Sequence, residues 1–119
     1  MATIESKSLG APEETRTFVD KGHADIVHLG IGDVGLGTFE PGWRWSEHVK
    51  PIAGTDSCQV AHTGYVVSGS MTVRMDDGTE LTVKPGEAFH MPPGHDAWTV
   101  GDEACKLVDF GGLKGYAKG

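Results

Sequence analysis

Apolar and polar residues alternate with a period of two along Met71-Thr72-Val73-Arg74-Met75, and again along Glu80-Leu81-Thr82-Val83-Lys84. A strand turns successive side chains to opposite faces, so the pattern predicts half-buried strands over 71–75 and 80–84. Asp76-Asp77-Gly78 between them predicts a hairpin, because Asp-Gly suits the turns that match strand twist. Shorter strand-like segments stand at 17–19, 26–29, 36–40, 98–100 and 105–110. Residues 43–49 read as extended, with Trp43 and Trp45 on one face and Arg44 on the other. Pro41-Gly42 reads as a turn and 50–55 as a loop. Residues 58–67 are strand-like and end at Ser68-Gly69-Ser70. In 105–110 a solvent-facing Lys106 puts Cys105, Leu107 and Asp109 inward. A buried Asp109 then needs a partner, such as a histidine or Arg44.

No segment sustains a 3.6-residue apolar stripe. Many short strands with regular turns predict a sandwich or barrel, all-β, in one domain. The domain is expected over 15–119, after a flexible arm at 1–14, with the Gly/Lys-rich tail 111–119 fraying. A length of 119 residues fits one core.

The formal net charge of -7, with no dense Lys/Arg run, argues against a nucleic-acid partner. No apolar run approaches the ~20 residues of a membrane span, and the first residues lack a basic-then-apolar signal pattern. The expectation is a cytoplasmic protein without membrane contact. Cys58 and Cys105 make no disulfide framework and are expected to be reduced there.

Within 41–110, Tyr65-Val66-Val67-Ser68-Gly69 resembles the end of the first cupin motif, and Gly86, Pro92 and Gly94 resemble the second. The resemblance implies a cupin-like jelly-roll β-barrel, commonly a homodimer. Family members usually hold one divalent metal with three His and one Glu. This chain departs at all four positions: Asp56 and Cys58 stand at the first two His positions, His62 at the Glu and Ala97 at the last His.

Cys58 and His62 are the best remaining ligand pair, since thiolate and imidazole suit zinc, with iron or copper as alternatives. On a straight strand they lie ~13 Å apart at ~3.3 Å per residue, so a shared metal requires the chain to turn between them. The third metal ligand is His95, or else His90 or His48. His95 has the parity of Ala97 but sits two residues earlier. The plain alternative is a buried apolar Cys and a hydrogen-bonded His. Trp45, His48, Tyr65, His90 and Trp98 are candidates to line a substrate pocket, with Trp43, Phe39 and Phe89 beside them or in the core.

Three functions stay open. One is a small-molecule-binding cupin with an altered metal site and metal-dependent chemistry. Another is a metal-free ligand-binding or sensing module. The third is a metal-free isomerase or cyclase with His62 or His95 as general acid/base.

Overall fold

The computed structural model describes residues 4–111 and Tyr116. Nine strands occur among them: β1 (Glu14–Thr17), β2 (Gly22–Leu29), β3 (Gly32–Phe39), β4 (His62–Ser68), β5 (Ser70–Met75), β6 (Glu80–Val83), β7 (Ala88–Met91), β8 (His95–Val100) and β9 (Cys105–Asp109). They form two antiparallel sheets, ordered β1-β2-β3-β9-β4-β7 and β6-β5-β8. This is an all-β jelly roll. Its core lies between the sheets, where Val66 and Leu107 of one face Met71, Val73 and Ala97 of the other. Phe39 packs between Phe18 and Trp43, at 5.5 and 4.5 Å between ring centroids. No helix among the described residues is long and apolar enough to cross a membrane.

Alternation governs which side chains reach the interior. In β4, His62, Gly64 and Val66 are buried while Thr63, Tyr65 and Val67 are exposed. In β9, Cys105, Leu107 and Asp109 are buried and Lys106 is exposed, as the period-two pattern requires. Gly64 lies under the β9 backbone: a Cβ there would sit 1.8 Å from the Val108 carbonyl oxygen.

Several segments differ from the sequence expectation: the strand expected at 17–19 is instead β1, which ends at Thr17, with Phe18 and Val19 outside any strand. Residues 43–49 are not extended throughout. A helical turn, α1 (Trp45–His48), starts after Arg44, and α2 (Lys50–Ala53) occupies most of the expected loop. The cause is tertiary. The Asp96 carboxylate of β8 accepts from the Ser46 N–H at 3.1 Å, and the His48 Nδ1 accepts from the Arg44 N–H at 3.0 Å. Both bonds satisfy donors at the start of a helix that its own carbonyls leave free. The segment 58–67 is also not one strand. β4 begins only at His62, and the chain turns between Cys58 and that residue. The strand β7 (Ala88–Met91) lies between the motif turns at Gly86 and Gly94, where the residue pattern predicts no strand. Of the tail, only Gly111 and Tyr116 lie within the described residues, so fraying over 111–119 falls largely outside them.

Candidate metal centre and pocket

Three backbone features bring the chemistry together. Cys58 precedes β4 and is laced to the start of β8: its N–H donates to the His95 carbonyl at 2.7 Å, and its carbonyl accepts from the Gly94 N–H at 2.7 Å. Gly94 makes that turn at φ 92°, a left-handed value that favours glycine. His62 opens β4 opposite Met91 of β7, and Asp109 closes β9 opposite Gly64. His62, His95 and Asp109, which open β4, open β8 and close β9, therefore point inward by parity.

The result is a buried cluster of Cys58, His62 and His95, whose candidate ligand atoms all lie within 4.8 Å of one another. Cys58 and His95 are 2% exposed and His62 is 7% exposed. The Cys58 Sγ stands 3.7 Å from the His62 Nε2. On the far side of that ring, Nδ1 meets the Asp109 carboxylate at 2.5 Å. The His95 Nδ1 lies 2.8 Å from the Pro92 carbonyl oxygen, an acceptor only, so that nitrogen carries the proton. Both imidazoles thus turn Nε2 toward the cluster, with the other nitrogen held by an acceptor.

Burial alone pushes the Cys58 thiol up. Hydrogen bonds with His62 and His95 outweigh it and bring the thiol down to about 6. Burial likewise disfavours a charged His62, but the Asp109 carboxylate and the Cys58 sulfur raise it to about 9. Both shifts favour a thiolate beside an imidazolium over the neutral pair. Burial and nearby Glu103 raise the Cys105 thiol to about 12, so it stays protonated.

His62, His95 and Asp109 form the polar end of a largely apolar pocket with about 40 Å3 of free room. Phe89, Met91, Leu107, Trp43 and Trp45 make much of its wall. Tyr116 closes one side, its ring edge-on to His62 at 4.9 Å between centroids. Its carbonyl accepts from the Arg16 guanidinium at 2.9 Å.

The five residues expected to line a substrate pocket scatter. Trp45 does line it. Tyr65 follows inward-facing Gly64 and is 45% exposed on the outer face. Trp98 stands between inward-facing Ala97 and Thr99 and takes the Arg44 guanidinium over its ring at 4.4 Å. His90 faces out beside Thr63, at 3.1 Å from its hydroxyl oxygen, and His48 spends its Nδ1 on the Arg44 N–H. Neither His90 nor His48 joins the cluster; His95 does. Asp56 is fully exposed, 3.9 Å from the Lys50 Nζ. Asp109 was visible from parity as an inward carboxylate needing a partner, and His62 is that partner. Tyr116 carried no sequence signal, because it is a lone aromatic in a Gly/Lys-rich tail.

The fold agrees with comparisons to known proteins. The chain is similar to the polyketide cyclase RemF from Streptomyces resistomycificus, with TM-score 0.63, 16% identity, and coverage of 94% of this chain and 81% of that one. A protein of unknown function from Rhizobium leguminosarum gives TM-score 0.62 at 18% identity, covering 93% and 99%. KdgF from Halomonas sp. gives TM-score 0.53 at 20% identity, covering 78% and 82%. No curated protein matches the sequence. The model of the cupin domain matches residues 36–111, and this chain, with its two facing sheets and motif turns in register, belongs to the cupin family.

Proposed function

We propose that Cys58, His62 and His95 hold one divalent metal, zinc first, and that the protein acts on a small organic molecule in the adjoining pocket. The convergence of three buried ligand atoms within 4.8 Å carries this reading. In a tetrahedral zinc site, Zn–S of ~2.3 Å and Zn–N of ~2.05 Å place sulfur and nitrogen ~3.6 Å apart. Cys58 Sγ and His62 Nε2 stand 3.7 Å apart. Asp109 and the Pro92 carbonyl orient the two imidazoles from behind, as acceptors behind metal-bound histidines usually do. Three protein ligands leave a fourth position for a ligand, and a metal there supplies a Lewis acid that polarises a bound oxygen. The chain itself contributes a preformed thiolate, two fixed imidazoles and apolar walls that exclude water. The fold likeness to a polyketide cyclase is in keeping with an enzyme. The homodimer belongs to the same proposal, since the edge strand β6 carries Leu81 exposed to solvent.

A second reading rests on the hydrogen-bonded series Cys58–His62–Asp109. A thiolate next to a histidine that a carboxylate orients is also the arrangement of a metal-free thiol nucleophile. Metal analysis of protein purified without a nickel column separates the two. The metal reading expects about one zinc per chain, lost in Cys58→Ala and in His62→Ala. Metal-free protein whose thermal stability ignores both chelator and added zinc overturns it and favours the thiol reading.

A further inference from the structure

The jelly roll is open along one side. The larger sheet ends at β7 and the smaller at β6, and neither edge pairs with a further strand among the described residues. Leu81 of β6 has the parity of buried Val83, so it belongs to the inner face, yet it is 63% exposed. Its cross-strand partner Val73 is buried, and Met75 beyond it on β5 is half-buried. Between the two edges lies a second cavity, with about 190 Å3 of free room. Val73, Met75, Leu81 and Val83 wall it from one sheet, and Phe89 and Met91 from the other. Thr79, Glu80 and His90 also border it, and all three are exposed. A contiguous apolar surface with a polar rim marks a ligand groove or an interface.

Phe89 and Met91 also wall the smaller cavity, which His62 and His95 line. The two cavities therefore share a partition of β7 side chains. Met91 is unbranched, with three rotatable bonds, so it can swing aside at little cost. Size says what each cavity takes. About 40 Å3 is well below the ~150 Å3 of a cavity that takes benzene, so the cavity at the histidines fits only a head group. About 190 Å3 exceeds that mark, so the cleft has room for a hydrocarbon body of about six carbons. We propose that the substrate is an elongated amphiphile, with a small oxygen-bearing head beside His62 and His95 and a hydrocarbon body that passes Phe89 and Met91 into the cleft. The proposal rests on the small-molecule reading above and names its substrate class. The cleft itself does not require the metal.

Three methionines report on the two cavities separately. Met71 lines the smaller one, Met75 lines the cleft, and Met91 lines both. The test is an NMR titration of protein carrying 13C-methyl methionine, in metal-free and in zinc-treated samples. The probes are butanoate, hexanoate and octanoate. Octanoate should shift all three methyl signals saturably with one common Kd, and butanoate only those of Met71 and Met91. Binding should tighten about fourfold for each added CH2 along the series. Leu81→Ser, at an exposed position, should weaken octanoate binding about tenfold and leave butanoate unchanged. Should the variant fail to fold, the wild-type series still decides. No saturable octanoate response, a shift of Met75 without Met71, or an affinity that ignores chain length overturns the proposal. A Met75 signal that shifts on dilution of the protein alone gives the cleft to a second copy and overturns it too. An octanoate response in protein that binds no zinc sinks the metal reading alone. Zinc binding without an octanoate response sinks the amphiphile proposal alone.

Discussion

Asp109→Asn removes one charge and keeps the shape, so it isolates what the carboxylate does to the Cys58–His62 pair. An asparagine oxygen can still accept from the His62 Nδ1–H, and the ring stays in place. Holding His62 at about 9 rather than 6.5 corresponds to about 3 kcal/mol in favour of the imidazolium, at about 1.36 kcal/mol per pKa unit. Both groups are buried, at 7% and 5% exposure, so solvent screens this interaction little. Without the carboxylate, only the Cys58 sulfur is left to oppose burial, and the imidazole falls from its raised value. Cys58 then faces a neutral ring, and burial drives the thiol back up. At about pH 7.5 the wild type should carry a thiolate and Asp109→Asn a thiol, a difference visible in ultraviolet absorbance of metal-free protein. Cys105 stays silent, being raised to about 12. The variant should also lose on the order of 3 kcal/mol in denaturant unfolding, within the range for breaking a buried ion pair. A variant that keeps the thiolate absorbance down to pH 6 refutes the assignment of the His62 charge to Asp109.

The same two groups predict an unusual pH dependence. His62, raised from 6.5 to about 9, adds stability that is complete below 6.5 and lost as pH rises through 9. Cys58, lowered from 9.0 to about 6, adds stability that is complete above 9.0 and lost as pH falls through 6. Between 6.5 and 9 the folded pair holds one proton on His62 and the unfolded chain holds one on Cys58, so their joint contribution should be flat. Cys58→Ala removes the thiol's opposing contribution and leaves His62 raised by Asp109 only, and chemical denaturation should then show stability falling as pH rises above 6.5, by up to ~1.4 kcal/mol per pH unit; a flat profile counts against the pairing. Zinc must displace the His62 proton but finds the thiolate already formed, so competition with a chelator of known affinity should show zinc binding strengthening by up to about tenfold per pH unit until about 9. Gly64→Ala drives a Cβ to 1.8 Å from the Val108 carbonyl oxygen and should cost at least ~3 kcal/mol or prevent folding, whereas Thr63→Ala on the exposed face should be nearly neutral.

The frame of the barrel was legible because its signals are local. Gly69, Gly86 and Gly94 all adopt positive φ, which is a steric demand that each position makes on its own residue type. Parity within a strand is equally local, and it put Cys105, Leu107 and Asp109 on one face before any partner was known. The site was legible only in part, because it depends on where chain segments cross. On a straight strand Cys58 and His62 could not meet, yet their side chains approach to 3.7 Å because β4 starts at His62. That start is set from outside the segment, by the paired backbone bonds between Cys58 and the Gly94-His95 turn. The helical turn at Trp45 escaped for the same reason, since its stabilising carboxylate comes from Asp96, in β8. These crossings also connect the departures from the family pattern. Ala97 and His95 share the inner face of β8, so a ligand can move one inward position toward the strand's start without changing sides. The residue bridged to that new position is Cys58. On the proposed metal reading, the departures from the family pattern at Ala97 and Cys58 belong to one displaced site, in which the backbone bridge between β8 and the segment before β4 does the positioning.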